Sequence, residues 1–283
     1  NVGKTSNKGV ELALNYEIVR NKDFNLSFGM TYNFNHNNID DLFDGVLADT
    51  HTNWGSTTRL PYYDYVIRKG NPVGLIQGYK SQGFYTVDDF NVGADGIWTL
   101  KPGIPDNVDN IGNFAGAENY KRPDGQKAFP GMAKFADTDN DGKITASDVT
   151  IIGKTKPQHT GGFNLSGHYK NLDFTANFTY QIGGKVYNAN ALHDMMGGKD
   201  TWYGAAKLNI VSDCWKMYNV DSKGDLYAVT DPTELKALNA GAKYALPFAE
   251  VGLVTSDFIE DASYLRLQNL SVGYTFPKRW MKP

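Results

Sequence analysis

From Gly9 to Asn35 apolar and polar residues alternate. Val10, Leu12, Leu14, Tyr16 and Ile18 are interleaved with Glu11, Ala13, Asn15 and Glu17. The polar turn Arg20-Asn21-Lys22-Asp23 follows. Then Phe24, Leu26, Phe28, Met30, Tyr32 and Phe34 alternate with Asn25, Ser27, Gly29, Thr31, Asn33 and Asn35. A period of two over this length predicts strands near 9–20 and 24–35, and the short turn joins them as a hairpin. Strands of soluble domains usually run about 5–6 residues. These reach the roughly 10 residues that a strand needs to cross a bilayer.

The pattern recurs. Phe163, Leu165 and Tyr169 alternate with Asn164, Ser166 and His168, and after Lys170-Asn171 the residues Leu172, Phe174, Ala176, Phe178 and Tyr180 alternate with Asp173, Thr175, Asn177, Thr179 and Gln181. Strands are expected near 161–170 and 172–181, and a last one near 263–276, where Leu270, Val272, Tyr274 and Phe276 lie opposite Asn269, Ser271, Gly273 and Thr275. The upper half of that strand, Tyr264-Leu265-Arg266-Leu267-Gln268, alternates less regularly. The stretch 62–86, bent at Gly70-Asn71-Pro72, offers either two further strands (62–69 and 74–86) or none, because its alternation is poor.

Long segments rich in Gly, Asp, Asn and Pro separate these strands, near 36–61, 88–160 and 182–261. Short turns alternating with very long loops match the short periplasmic turns and long extracellular loops of outer-membrane barrels. The strand ending near Asn35 runs away from a short turn and the one starting near Thr160 runs toward another, so an even number of strands separates them. The polar sets are mostly Asn, Ser, Thr, Gln, Asp and Glu, with little Lys or Arg, which suits a water-filled lumen; Tyr and Phe near strand ends suit interfacial girdles. The expected fold class is all-β, part of a large antiparallel transmembrane β-barrel, treated as one partial domain over 1–283. The competing architecture is a soluble secreted β-rich protein, a glycan-binding module or adhesin with a calcium-stabilised loop.

Composition narrows the function. Among 283 residues, 31 acidic side chains nearly balance 28 basic ones, leaving a net charge of −3. No nucleic-acid partner is expected, since that needs a basic stripe. The single cysteine, Cys214, rules out an internal disulfide and offers no metal cluster. No run approaches the ~18 apolar residues of a transmembrane helix, which does not exclude a barrel. Asn1-Val2-Gly3-Lys4 lacks a signal-peptide core, so an internal piece of a longer chain is expected. His36, His51, His159, His168 and His193 are scattered, and no metalloprotease, nucleophile-elbow or phosphate-loop motif occurs. No catalysis is expected. Four sequons begin at Asn25, Asn164, Asn177 and Asn269, all inside expected strands, where glycosylation has no access. Trp54, Trp98, Trp202 and Trp215 fall in expected loops, either as local packing or as sugar-stacking rings.

The sharpest chemistry is at 137–148. Asp137, Asp139 and Asp141 take positions 1, 3 and 5 of a twelve-residue calcium loop, with Gly142 at the turn position. Lys143 would contribute its backbone carbonyl at position 7, Thr145 a hydroxyl or a water at 9, and Asp148 its carboxylate at 12. Hard oxygen donors at this spacing converge on one cation, and a structural calcium is expected. The bland alternative is a turn of solvated carboxylates.

Several segments together resemble the SusC/RagA family of TonB-dependent outer-membrane transporters. Asn1 to Leu12 resembles the family's entry into a late barrel strand. Lys69-Gly-Asn-Pro-Val-Gly74 with Gly78-Tyr79 and Gly83-Phe84, then Lys134-Phe-Ala-Asp-Thr-Asp-Asn-Asp-Gly142 leading to Thr150-Ile-Ile-Gly153, follow in the family's order. Ser263-Tyr-Leu-Arg-Leu-Gln-Asn-Leu-Ser-Val-Gly-Tyr274 completes the set. The resemblance implies a barrel of about 22 strands, in the outer membrane of a Gram-negative bacterium of Bacteroidetes type. It implies a SusD-like surface lipoprotein as partner, a TonB system engaged through a part outside this chain, and energy-coupled uptake of oligosaccharides or peptides.

Overall fold

The computed structural model describes residues 3–42, 48–50, 64–109, 111, 116–194, 212–246 and 253–280. The first strands in chain order are β1 (Gly3–Arg20), β2 (Phe24–Leu42), β3 (Ala48–Thr50), β4 (Tyr65–Ile67), β5 (Leu75–Gly78), β6 (Ser81–Phe84), β7 (Phe90–Val92) and β8 (Trp98–Leu100). Next come β9 (Ala133–Phe135), β10 (Thr150–Lys154), β11 (His159–Tyr169), β12 (Leu172–Ile182), β13 (Lys185–Tyr187), β14 (Tyr218–Val220), β15 (Leu226–Ala228), β16 (Ile259–Asp261) and β17 (Tyr264–Tyr274). Helices are short, and no helix among the described residues is long and apolar enough to cross a membrane.

Five long strands form one antiparallel sheet in the order β1-β2-β11-β12-β17. Its register sorts the residues by face. Leu14, Met30, Phe163, Phe178 and Leu267 lie side by side across all five strands. One residue away runs a second row: Asn15, Gly29, Asn164, Asn177 and Asn269. A Cβ at Gly29 would sit 2.2 Å from the Asn164 side-chain oxygen and 3.0 Å from that of Asn15, so only glycine lets these amides close over the strand. The sequon asparagines thus belong to the polar face, as by-products of the alternation.

A register shift between Asn177 and Phe178 leaves Gln268 unpaired in β17. This bulge explains the irregular upper half of that strand. It moves Leu265 and Leu267 onto the same face as Leu270 and Val272, although the parity of their numbers differs.

β1 and β2 are longer than the alternation indicated. They span 18 and 19 residues, about 60 Å at ~3.3 Å per residue, far beyond the apolar stretch. Their far ends pair polar residues, such as Asn7 with Asn37 and Ser6 with Asn38. The expected loop over 36–61 therefore begins as strand, and its residues 43–47 and 51–61 lie outside the described set. Residues 62 and 63 of the first candidate strand lie outside the described set, and the described parts of 62–69 and 74–86 are not part of the long sheet. β2 pairs directly with β11, so the even number between them is zero. β4 and β5 instead join β3 and β10 in a small separate sheet ordered β10-β5-β4-β3. The composition explains this: Leu75, Ile76, Gln77 and Gly78 are all buried, with no polar face for water.

The long loops are not structureless. Segments between 79 and 258 share one hydrophobic core built on Tyr85, Phe90, Trp98, Tyr120, Phe129 and Trp215. Their rings pack edge-on or stacked, Phe90 on Trp98 at 5.8 Å, Trp98 on Tyr120 at 5.5 Å and Tyr120 on Phe129 at 5.9 Å between centroids. Trp98 and Trp215 are therefore local packing, while Trp54 and Trp202 lie outside the described residues. The β14–β15 hairpin, the short helix Pro232–Leu238 and the calcium-type loop are set around this core. The result is an outer module held at one end of the long sheet.

Candidate functional site

Two features carry chemistry: the faces of the long sheet and the acidic loop. On the apolar face, Tyr16 is 61% exposed, Leu265 65% and Val272 66%. Nothing among the described residues covers this face, whereas a soluble sandwich requires a second sheet there. An uncovered apolar face of five strands far exceeds what a water-soluble surface tolerates. Aromatic residues gather toward its ends. Phe24 meets Tyr169 edge-on at 6.4 Å, and Phe276 lies between Tyr274 and Trp280 at 5.2 and 6.2 Å. At the opposite end the Tyr32 hydroxyl hydrogen-bonds His159 Nδ1 at 2.8 Å.

The acidic loop begins just after β9. Asp137, Asp139 and Asp141 present carboxylate oxygens within 4.8 Å of one another. The backbone is shaped for this: Asn140 (φ 61°) and Gly142 (φ 82°) take left-handed conformations, which Gly adopts at no steric cost and Asn at little. Loop amides hold the carboxylates in place. Asp137 accepts from the Gly142 N–H at 2.8 Å, and Asp141 accepts from the Lys143 N–H at 2.8 Å. Asp148 stands apart from this trio. It is fully buried, and its two oxygens accept the N–H groups of Thr138 (2.6 Å) and Thr145 (2.8 Å), tying the two ends of the loop together. The Thr145 hydroxyl bonds Ser147, whose own hydroxyl reaches Asp139 at 3.0 Å. The Lys143 carbonyl accepts no hydrogen bond among the described residues.

One participant was not legible in the sequence. Asp106 runs beside the loop as a parallel bridge partner of Lys143. Its N–H donates to the Gly142 carbonyl at 3.1 Å, and its carbonyl accepts from Ile144 at 2.7 Å. The Asp106 carboxylate meanwhile accepts the N–H groups of Lys127 and Ala128. Ile144 is buried in the core. Asp106 thus anchors the acidic loop, and no local pattern could reveal a partner 37 residues away.

No family model matches the chain. Curated proteins do match. TonB-dependent receptor P3 of Formosa agariphila is 28% identical over 281 residues, 99% of this chain and 23% of the relative. The chain is similar to TonB-dependent receptors along its whole length. TonB-dependent receptor SusC of Bacteroides thetaiotaomicron is 23% identical over 281 residues, 99% of this chain and 21% of the receptor. The SusC-type resemblance read from the motifs therefore holds from end to end. This chain spans about a quarter of the length of these TonB-dependent receptors. Among solved structures, that of the RagAB peptide transporter superposes with a TM-score of 0.60 at 21% identity, covering 99% of this chain and 24% of the matched one. At that identity the likeness shows a shared fold: an all-β, antiparallel segment with large insertions.

Proposed function

We propose that this chain forms part of the barrel wall and the folded outer loops of a TonB-dependent importer in a Gram-negative outer membrane. The observation that carries this is the uncovered apolar face, continuous across five strands and backed by a polar face rich in Asn, Ser and Thr. Hydrocarbon on one side and a water-filled lumen on the other satisfy both at once. The turns at 21–23 and 170–171 then face the periplasm, and the module faces outward, where it meets a SusD-like lipoprotein. The cargo is an oligosaccharide or a peptide, TonB acts through a part of the protein outside this chain, and the role is transport, not catalysis. Membrane fractionation of cells making the full-length protein tests this. Recovery in the outer membrane, released only by detergent, is expected. Release by alkaline carbonate alone would overturn the reading.

We further propose a structural calcium at Asp137, Asp139 and Asp141, with the Lys143 carbonyl and Thr145, directly or through a water, completing the donor set. Three carboxylates this close repel one another, and a hard cation offsets that repulsion. Asp148, in this reading, acts chiefly by closing the loop over the ion. Millimolar calcium should raise the unfolding midpoint of the outer module, and Asp139→Ala should abolish the rise while the long sheet stays folded. A wild-type midpoint insensitive to calcium would refute the site.

A further inference from the structure

The short-turn end of the long sheet concentrates positive charge. Segments 21–23, 170–171 and 277–280 hold Lys22, Lys170, Lys278 and Arg279 against one acid, Asp23, in a chain whose net charge is −3. Lys22, Lys170 and Arg279 are exposed and have no ion-pair partner among the described residues. Their neighbour Arg20 is already paired, with Glu17 at 3.3 Å. Hydrogen bonds knit the three segments into one rim. The Lys170 N–H donates to the Asp23 carbonyl at 2.8 Å and the Thr275 N–H to the Asn171 carbonyl at 2.8 Å, while the Asn171 side-chain amide donates to the Thr275 carbonyl at 2.6 Å. Neighbouring strands lie about 4.8 Å apart, so the two turns stand roughly 10 Å from one another and β17 ends within a similar step. Rings of the apolar face lie directly beside these charges. Tyr169, Phe276 and Trp280 are 54%, 57% and 61% exposed, and the Lys170 ammonium lies 5.3 Å from the centre of the Tyr169 ring. At the opposite end of β1 and β2, by contrast, Asp40 offsets Lys4 and Lys8, whose charges both act on its carboxylate.

Resting on the importer reading above, we propose that this rim binds anionic glycerophospholipid headgroups of the leaflet it meets, with the phosphodiesters against Lys22, Lys170 and Arg279 and the acyl chains along the adjoining rings. Each Lys or Arg near a negatively charged leaflet adds about a fivefold preference for it. Amphipathic rings such as Tyr169 and Trp280 settle at the level of the headgroups. Lysine stems run over apolar surface while their ammonium groups stay in the polar layer. The contact between Lys170 and the Tyr169 ring holds that ammonium at this boundary. A soluble acidic protein would meet the charges and leave the rings uncovered, whereas a lipid satisfies both.

The test uses the full-length protein in detergent micelles holding equal amounts of phosphatidylglycerol and phosphatidylcholine, with the bound lipids counted by native mass spectrometry. Phosphatidylglycerol should be retained in preference to phosphatidylcholine. The triple variant Lys22→Gln/Lys170→Gln/Arg279→Gln, at three exposed positions, should reduce that preference at least about fivefold. Lys4→Gln/Lys8→Gln, at the other end, should leave it intact. Equal retention of the two lipids by the wild type would overturn the proposal, as would a preference that survives the triple variant or falls equally in the double one. Displacement of the lipid by glycerol phosphate, a headgroup without acyl chains, would overturn it too, since the site would then recognise free phosphate. Insertion of the same proteins into lipid vesicles reports separately on the importer reading. If the wild type inserts but shows no lipid preference, only the headgroup site falls; if it does not enter the bilayer at all, the importer reading falls.

Discussion

The long sheet and the outer module use the same apolar residue types in opposite ways. In the sheet, Leu265 and Val272 stand about two-thirds exposed; in the module, Trp98 and Phe129 are sealed from solvent. The module is built for water, with a core inside and polar groups outside. The sheet leaves its apolar face uncovered, which on the importer reading places a different solvent on each face. The same burial rule applies to both, and what differs is which medium fills the space beside each apolar side chain.

Substitutions sharpen that contrast. Phe129→Ala removes a ring from the centre of the module's aromatic cluster and should cost about 3–5 kcal/mol, read as a lower denaturation midpoint of the module. Phe28→Ala on the sheet should cost distinctly less, because lipid chains fill the gap that a rigid core would keep empty. Equal costs at the two sites would mean that Phe28 faces a protein core. Phe28→Arg should cost about 2–4 kcal/mol if the site lies near the bilayer midplane, measured by folding into lipid vesicles. Thr31→Arg, on the polar face, should be nearly silent.

Alkaline titration separates the regions by a different route. Burial pushes the Tyr120 hydroxyl up to about 12 and raises Tyr85 and Tyr187 as well. An unfolded tyrosine loses its proton near pH ~10, while the folded module retains these protons. Their contribution to stability is complete below that pH and falls as pH rises above it. The module should lose its tryptophan fluorescence signature between pH ~10 and ~12 while the sheet keeps its far-ultraviolet strand signal. Simultaneous loss of both signals would show that they fold as one unit. The smallest effect is expected for Lys236→Ala, which breaks an exposed pair with Asp88 at 2.8 Å. No shift of the module's midpoint should be detectable at physiological salt, since water and ions already screen the pair.

Legibility in the sequence followed the same division. The hairpins of the long sheet were readable because a face turned toward one medium imposes a period of two. Where that rule was locally broken, at Gln268, the reading faltered, since a bulge needs its partner strand to be seen. The module was opaque. Tyr85, Phe90, Trp98, Tyr120, Phe129 and Trp215 recur at no fixed interval, because short strands and turns bring them together rather than one repeating element. The acidic loop stood between these cases. Its spacing announced that the carboxylates of Asp137, Asp139 and Asp141 converge, because residues this close along the chain meet within one turn. That Asp148 spends both oxygens on backbone amides was not visible in the spacing.

By itself, then, the sequence determined the long alternating strands, which of their side chains share a face, and the acidic turn, all set by neighbours within a dozen residues. Tertiary structure alone decided that β2 pairs directly with β11, that the long loops share a core and that Asp106 braces the acidic loop. Each of these joins residues distant along the chain, and such contacts depend on the closure of loops whose composition records only that they are polar and rich in turns.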